Sequence, residues 1–206
     1  MSLNPAGSTT IERVDLYPTP LWMANISTNT QKERQVSLNE DILSFIRGEY
    51  EKNPEAPKKS NREGGWQSRT DLYKEEVMKE LGQQIYNVSK TIFPNIKGMK
   101  IKQMWAAINF EHSYNILHCH SSHYDMSGAY YLQVPENSGR IAFRDPRHAA
   151  INHYFSVVKI HQGEWHWRMP KESDLMLWPP YLDHFVEPSK SKDPRVMISF
   201  DLRFDV

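Results

Sequence analysis

The densest run of chemically able side chains in this sequence is His118-Cys119-His120-Ser121-Ser122-His123-Tyr124-Asp125. On an extended segment residues i and i+2 project from one face, so His118 and His120 point together while Cys119 points away. Two imidazoles so placed can converge on one metal ion at about 2.1 Å each. They also read as two histidines on a polar strand. His184 stands in Trp178-Pro179-Pro180-Tyr181-Leu182-Asp183-His184-Phe185-Val186, an apolar and aromatic setting just beyond a strand. Such a setting suits a packed core histidine as well as a third ligand. Arg195 follows eleven residues later and opens the alternating run Arg195-Val196-Met197-Ile198-Ser199-Phe200. It either caps the strand with a rim ion pair worth under ~1 kcal/mol, or turns inward and grips a carboxylate with both arms of its guanidinium. Each piece alone admits the plain reading. In a fold whose late strands return beside the early ones, however, a late histidine completes a facial metal site.

The elements that must position these residues change character near residue 98. Before it the periodicity is helical. Ser37-Leu38-Asn39-Glu40 has the form of a capping box. Leu38, Ile42, Ile46 and Tyr50 then recur every four residues, with Leu43 and Phe45 widening the stripe. This predicts a helix from Ser37 that stops before Pro54, followed by an exposed loop from Glu51 to Gly65. A second helix is predicted from Asp71, burying Val77, Leu81, Ile85, Val88 and Ile92 and ended by Pro94. Each has one apolar face and must lie against something larger.

After Gly98 the pattern becomes short strands between turn signals. The strand candidates are Lys100–Phe110, Asn115–His120, Ser127–Val134, Arg140–Phe143, Tyr154–Ile160, Glu164–Arg168, Asp174–Trp178 and Arg195–Arg203. Pro135 to Gly139, Asp145-Pro146, Gln162-Gly163, Pro179-Pro180 and Asp193-Pro194 punctuate them. Strands of this number and spacing suggest two packed antiparallel sheets. The expectation is an α+β chain, mainly β: a double-stranded β-helix, or jelly roll, with N-terminal helices packed on one sheet. Residues 1–206 form a single domain, in which 1–97 are a mainly helical cover and 98–206 the jelly-roll core.

Longer motifs run the length of the chain. Leu16-Tyr17-Pro18-Thr19-Pro20-Leu21-Trp22 comes first, then Gly64-Gly65-Trp66-Gln67-Ser68, then His118-x-His120 leading into Ser127-Gly128-Ala129-Tyr130-Tyr131-Leu132. Ser138 to Arg147 spells Ser-Gly-x-Ile-x-Phe-x-Asp-Pro-Arg, and Trp178-Pro179 to His184 precedes Arg195-x-x-Ile198-Ser199-Phe200. Together these resemble the iron(II)- and 2-oxoglutarate-dependent oxygenases, specifically a group found in bacteria and phages. The resemblance implies a jelly roll whose open end holds Fe(II), with His118 and His184 as the two histidines of the metal site. It implies that Arg195 pairs with the far carboxylate of 2-oxoglutarate, with Tyr131 and Ser199 supporting that cosubstrate. No catalytic residue is expected beyond the metal ligands. The implied reaction is a dioxygenase hydroxylation that releases succinate and CO2.

The sequence departs from the wider superfamily at position 120, where Asp or Glu is usual and His stands. Either His120 is itself the third ligand, or Asp125 swings in from the following turn to supply the acid. Strand geometry favours the first. The non-oxygenase alternative is a metal-binding, cupin-like jelly roll, since a fold does not decide function. A zinc hydrolase would need Glu111 or Asp125 as its base.

Composition narrows the partners. Lys+Arg and Asp+Glu balance at 25 each, so the basic stripe of a nucleic-acid binder is missing. No apolar run approaches the ~20 residues that span a bilayer. The one cysteine, Cys119, leaves no disulfide framework and points to a reducing, cytoplasmic setting. It reads as a small buried filler. The substrate is expected to be a small molecule or a protein, and the 12% aromatic content leaves room for a homodimer interface.

Overall fold

In a computed structural model, which describes residues 18–26, 32–55, 60–147 and 164–205, the strands form two antiparallel sheets facing each other. In chain order the elements are β1 (Trp22–Asn25), α1 (Lys32–Lys52), β2 (Asn61–Arg62), β3 (Trp66–Gln67), α2 (Lys79–Ile92), β4 (Gly98–Asn109) and β5 (Tyr114–His118). They continue with β6 (Met126–Gln133), β7 (Ile141–Arg144), β8 (Trp165–Arg168), β9 (Asp174–Trp178), β10 (His184–Val186) and β11 (Arg195–Asp205). The major sheet runs β1-β9-β6-β11-β4-β3 and the minor sheet β2-β5-β10-β7-β8. This is the double-stranded β-helix expected from the strand spacing. The expected strand Tyr154–Ile160, the turn Gln162-Gly163, Leu16-Tyr17 and the histidines His148, His153 and His161 lie outside the described residues.

The pleat of the major sheet divides its side chains into two sets. On β11, Val196, Ile198, Phe200 and Leu202 join a cluster with Leu38, Ile42 and Ile46 of α1 and Leu81 and Ile85 of α2. Met104, Ala106 and Ile108 of β4, Tyr130 and Leu132 of β6, and Leu175 and Leu177 of β9 belong to the same cluster. Burying each large aliphatic side chain contributes about 1.5–3 kcal/mol, which holds the two helices on the sheet. The alternate positions, Ala107, Ala129, Tyr131, Met176, Trp178 and Met197, pack instead against Ile141, Phe143 and Val186 of the minor sheet.

Both helices begin differently from the sequence expectation. α1 starts at Lys32, so Ser37 is an exposed residue inside the helix and forms no cap. The cause is tertiary: Gln35 is buried and its amide donates to the Tyr130 hydroxyl at 2.7 Å, which extends the buried stripe one turn earlier. Asp71 opens no α-helix. Two short 3-10 turns, Leu72–Lys74 and Glu76–Met78, precede α2, while the Asp71 carboxylate accepts from Arg69 and Lys74. Leu72, fully buried, and the backbone bond from Met104 N to Thr70 O tie this stretch to β4. Among the described residues no helix is long and apolar enough to cross a membrane.

Candidate active site

β10 is three residues long, yet it lies between β5 and β7, with His184 opposite His118 on one side and Phe143 on the other. His120 follows two residues after β5, where its backbone N–H donates to Pro180 O at 2.8 Å. One ring nitrogen from each of His118, His120 and His184 thereby falls within 4.8 Å of the other two. The three imidazoles sit against Trp105, Trp178 and Phe143, with ring centroids 5.7 Å (Trp105–His120), 5.0 Å (Trp178–His184) and 5.9 Å (Phe143–His184) apart.

Hydrogen bonds fix the tautomer of two of these rings. His118 Nδ1 lies 2.7 Å from Ile116 O, and His184 Nδ1 lies 2.9 Å from Leu182 O. A carbonyl only accepts, so each Nδ1 carries the proton and each Nε2 keeps its lone pair. Burial, then the neighbouring imidazoles, push His184 well below its ordinary value, and burial also lowers His118. Both are therefore held neutral, the state a metal needs in an imidazole ligand. Asp125 does not join the group: its Oδ2 accepts from Phe204 N at 2.7 Å and lies 3.4 Å from Arg203 Nε. Cys119 is exposed rather than buried, since it projects from the face opposite His118 and His120.

A narrow, largely enclosed cavity runs inward from the three histidines between the sheets, lined also by Tyr131, Trp178, Met197 and Ser199. Arg195 is completely buried. Its Nη1 donates to Gly139 O at 2.9 Å, while Nε and Nη2 have no hydrogen-bond partner among the described residues. The Tyr131 hydroxyl and Trp178 Nε1 are likewise buried without a partner. Burial drives the Tyr131 phenol up to about 12, opposed by the positive charge of Arg195, and lowers the Arg195 guanidinium itself. An unpaired guanidinium in a protein interior is heavily penalised. The arrangement asks for an anion, and a planar carboxylate fits the free edge of the fork. The residues present thus fit both a metal ion held by three imidazoles and a carboxylate-bearing cosubstrate beyond it.

The sequence motifs acquire physical reasons here. In Ser127-Gly128-Ala129-Tyr130-Tyr131, Ser127 Oγ donates to Asp201 at 2.6 Å. A Cβ on Gly128 would lie 2.5 Å from Phe200 Cζ. Tyr130 donates to Asn39 of α1 at 2.6 Å, and Tyr131 faces the cavity. Gly139, which holds Arg195, has φ +86° and no room for a Cβ, which would lie 2.4 Å from Glu187 O. Sequence reasoning missed Asp201, whose Oδ1 lies 2.6 Å from His120 Nδ1. It shares the parity of Arg195 and Ser199 on β11, and that parity was the available signal. A second, more open cavity of about 410 Å³ adjoins the histidines on the outer side, lined by Ser60, Gln67, Gln103, Trp105, Cys119 and Tyr124.

The chain is thus a double-stranded β-helix whose three convergent imidazoles could hold a metal ion and whose last strand carries a fully buried arginine. Residues 103–201, which carry all three histidines and Arg195, match the family described as "Putative 2OG-Fe(II) oxygenase". Fe(II) and 2-oxoglutarate are the cofactors of such enzymes. Among solved structures, the chain is similar to a prolyl-4-hydroxylase of Pseudomonas putida, with TM-score 0.61 and 12% identity over 90% of this chain and 92% of that one. It is also similar to the epimerase SnoN of nogalamycin biosynthesis, with TM-score 0.64 and 11% identity over 91% and 77%. HygX of Streptomyces hygroscopicus, solved with nickel and 2-oxoglutarate, matches with TM-score 0.59 and 11% identity over 89% and 82%. At these identities the likeness is one of fold. No curated protein matches the sequence.

Proposed function

We propose that His118, His120 and His184 hold Fe(II) and that Arg195 and Tyr131 receive the far carboxylate of 2-oxoglutarate, with Ser199 on the wall beside it. The enzyme is a 2-oxoglutarate-dependent oxygenase, and its reaction on this reading is hydroxylation of a substrate in the outer cavity. The observation that carries the residue assignment is the buried Arg195, with two guanidinium nitrogens that lack a hydrogen-bond partner among the described residues, as does the nearby Tyr131 hydroxyl. When bound, the iron and cosubstrate supply the oxidising chemistry, with succinate and CO2 as products of the cosubstrate. The protein's own work is binding and exclusion. Trp105, Trp178 and Phe143 wall the histidines with apolar surface, and the narrow inner cavity would shield a cosubstrate bound there.

Among the described residues, the outer cavity presents amides and hydroxyls (Gln67, Gln103, Ser60, Tyr124) and the Asp201 carboxylate, itself engaged by His120 and Ser127, around the Trp105 ring, with no lysine or arginine in its lining. This supports a neutral or weakly polar substrate group, whether a small molecule or a protein side chain. The lone cysteine supports a reducing cytoplasm as the setting. The test is anaerobic titration of metal-stripped protein with Fe(II) and then 2-oxoglutarate. A weak visible charge-transfer band that saturates with 2-oxoglutarate is expected, followed by succinate on admitting oxygen. Tight metal binding with neither band nor succinate would refute the reading.

A further inference from the structure

Asp201 occupies the inward face of β11, 2% exposed, directly beneath the histidine cluster. Its Oδ1 lies 2.6 Å from His120 Nδ1 and 2.6 Å from Ser127 Oγ. The Ser127 hydroxyl donates to this oxygen, so the oxygen acts as an acceptor toward both neighbours and the imidazole proton must sit on Nδ1. His120 Nε2 is left with its lone pair turned toward the other two histidines. Among the described residues His120 is the only basic side chain paired with this carboxylate.

His118 and His184 lean on neutral backbone carbonyls, whereas His120 leans on a full negative charge. Trp105 covers the His120 ring, with centroids 5.7 Å apart, and confines its rotation. We propose that Asp201 is the positioning residue of the metal centre. It locks His120 in the Nδ1–H tautomer and places just outside the coordination sphere the negative charge that a carboxylate at position 120 would have supplied within it. The inference rests on His120 being a metal ligand. A carboxylate behind a ligating imidazole raises the ligand's basicity and orients it, and losing one typically weakens metal binding about 10–100-fold.

The experiment compares the parent with Asp201→Asn, Asp201→Ala and His120→Ala, all metal-stripped, by Co(II) titration, Co(II) visible spectra and thermal melting. Nitrogen-15 NMR of the metal-free parent reads the His120 tautomer. The proposal expects Nδ1–H in the parent and Co(II) affinity lower by about 10–100-fold in Asp201→Ala. Asp201→Asn keeps an acceptor without the charge, so it should fall between the two with a shifted Co(II) spectrum. It also guards against an alanine variant that does not fold. Unchanged affinity in both Asp201 variants, with His120→Ala strongly weakened, overturns the role of Asp201 while leaving the metal site standing. Unchanged affinity in His120→Ala removes His120 as a ligand and this proposal with it. An Nε2–H tautomer in the parent overturns the proposal directly.

Discussion

His184 stands directly across from His118 in the antiparallel pairing of β5 with β10, and their ring centroids lie 4.3 Å apart. The pairing is how a jelly roll brings a late residue beside an early one, and it makes the proposed metal site depend on a strand of three residues. Replacing His184 with Ala should lower Fe(II) or Co(II) affinity by at least about 100-fold, since it deletes a ligand outright and not merely its support. Metal titration of the refolded variant checks this, and stoichiometric tight binding would remove His184 from the ligand set.

Arg195→Met should separate cosubstrate binding from folding. The guanidinium is fully buried with two nitrogens unpartnered among the described residues, so an apolar side chain of similar length should stabilise the ligand-free protein by about 1–3 kcal/mol. The same change should weaken 2-oxoglutarate binding by about 100-fold, given about 1.5–3 kcal/mol per charge-assisted hydrogen bond, and leave metal affinity nearly intact. Differential scanning calorimetry without ligand and calorimetric titration with 2-oxoglutarate measure the two effects. A lower Tm combined with unchanged 2-oxoglutarate affinity would be the opposite result.

The two depressed histidines give the metal-free protein a pH signature. His184 lies well below its ordinary value of 6.5, and His118 is lowered too, burial being the main cause for both. Below about pH 6.5 the unfolded chain takes up protons at these positions while the folded chain resists. The unfolded state then binds more protons, so stability falls as pH falls below about 6.5 and is flat above neutrality. His184→Asn should remove much of that slope between pH 6.5 and about 5. Thermal melts of metal-free parent and variant across this window decide it, and parallel curves would count against the burial of a neutral His184.

Gly128→Ala should be damaging despite the small change. Its Cβ would lie 2.5 Å from Phe200 Cζ and 2.6 Å from Met176 O, within the middle of the major sheet. Overpacking of this kind typically costs about 1–3 kcal/mol, and here one of the clashing atoms is backbone. Pairing it with Phe200→Leu should restore part of the loss. If Gly128→Ala melts with the parent, the close approach of β6 and β11 side chains is wrong.

Ile198 and Ser199 are chain neighbours with opposite loyalties. Ile198→Ala should lose about 2–5 kcal/mol of stability, because Ile198 is fully buried beneath the helices. Ser199→Ala should melt within about 0.5 kcal/mol of the parent and lose cosubstrate affinity by a few-fold, in line with about 0.5–1.5 kcal/mol for one neutral hydrogen bond. Denaturant midpoints and 2-oxoglutarate titrations on both variants would expose a reversed pattern.

The long strands were legible because their alternation repeats: Lys100–Phe110 is observed as Gly98–Asn109, and Arg195–Arg203 as Arg195–Asp205. β1, β2, β3 and β10 were not, since two to four residues carry no measurable period and the first three precede the stretch that reads as β. Local signals misplaced both helix starts because Gln35 and Leu72 are recruited by the sheet, a tertiary cause that neighbouring residues do not encode. His118, His120 and His184 could be picked out by type and spacing. Asp201 could not be picked out by type, because an acid near the end of a strand looks like any surface carboxylate until the strand's inward face is known.

The pleat that sends Ile198 one way and Ser199 the other also bears on how this chain can change over generations. Substitutions on the helix-facing side of β4, β6, β9 and β11 are judged by folding alone, and those on the opposite side by both the inter-sheet core and the site that it walls. Neighbouring codons therefore answer to different selective pressures. A stabilising repack beneath the helices can offset the strain that drift of the pocket toward a new substrate brings.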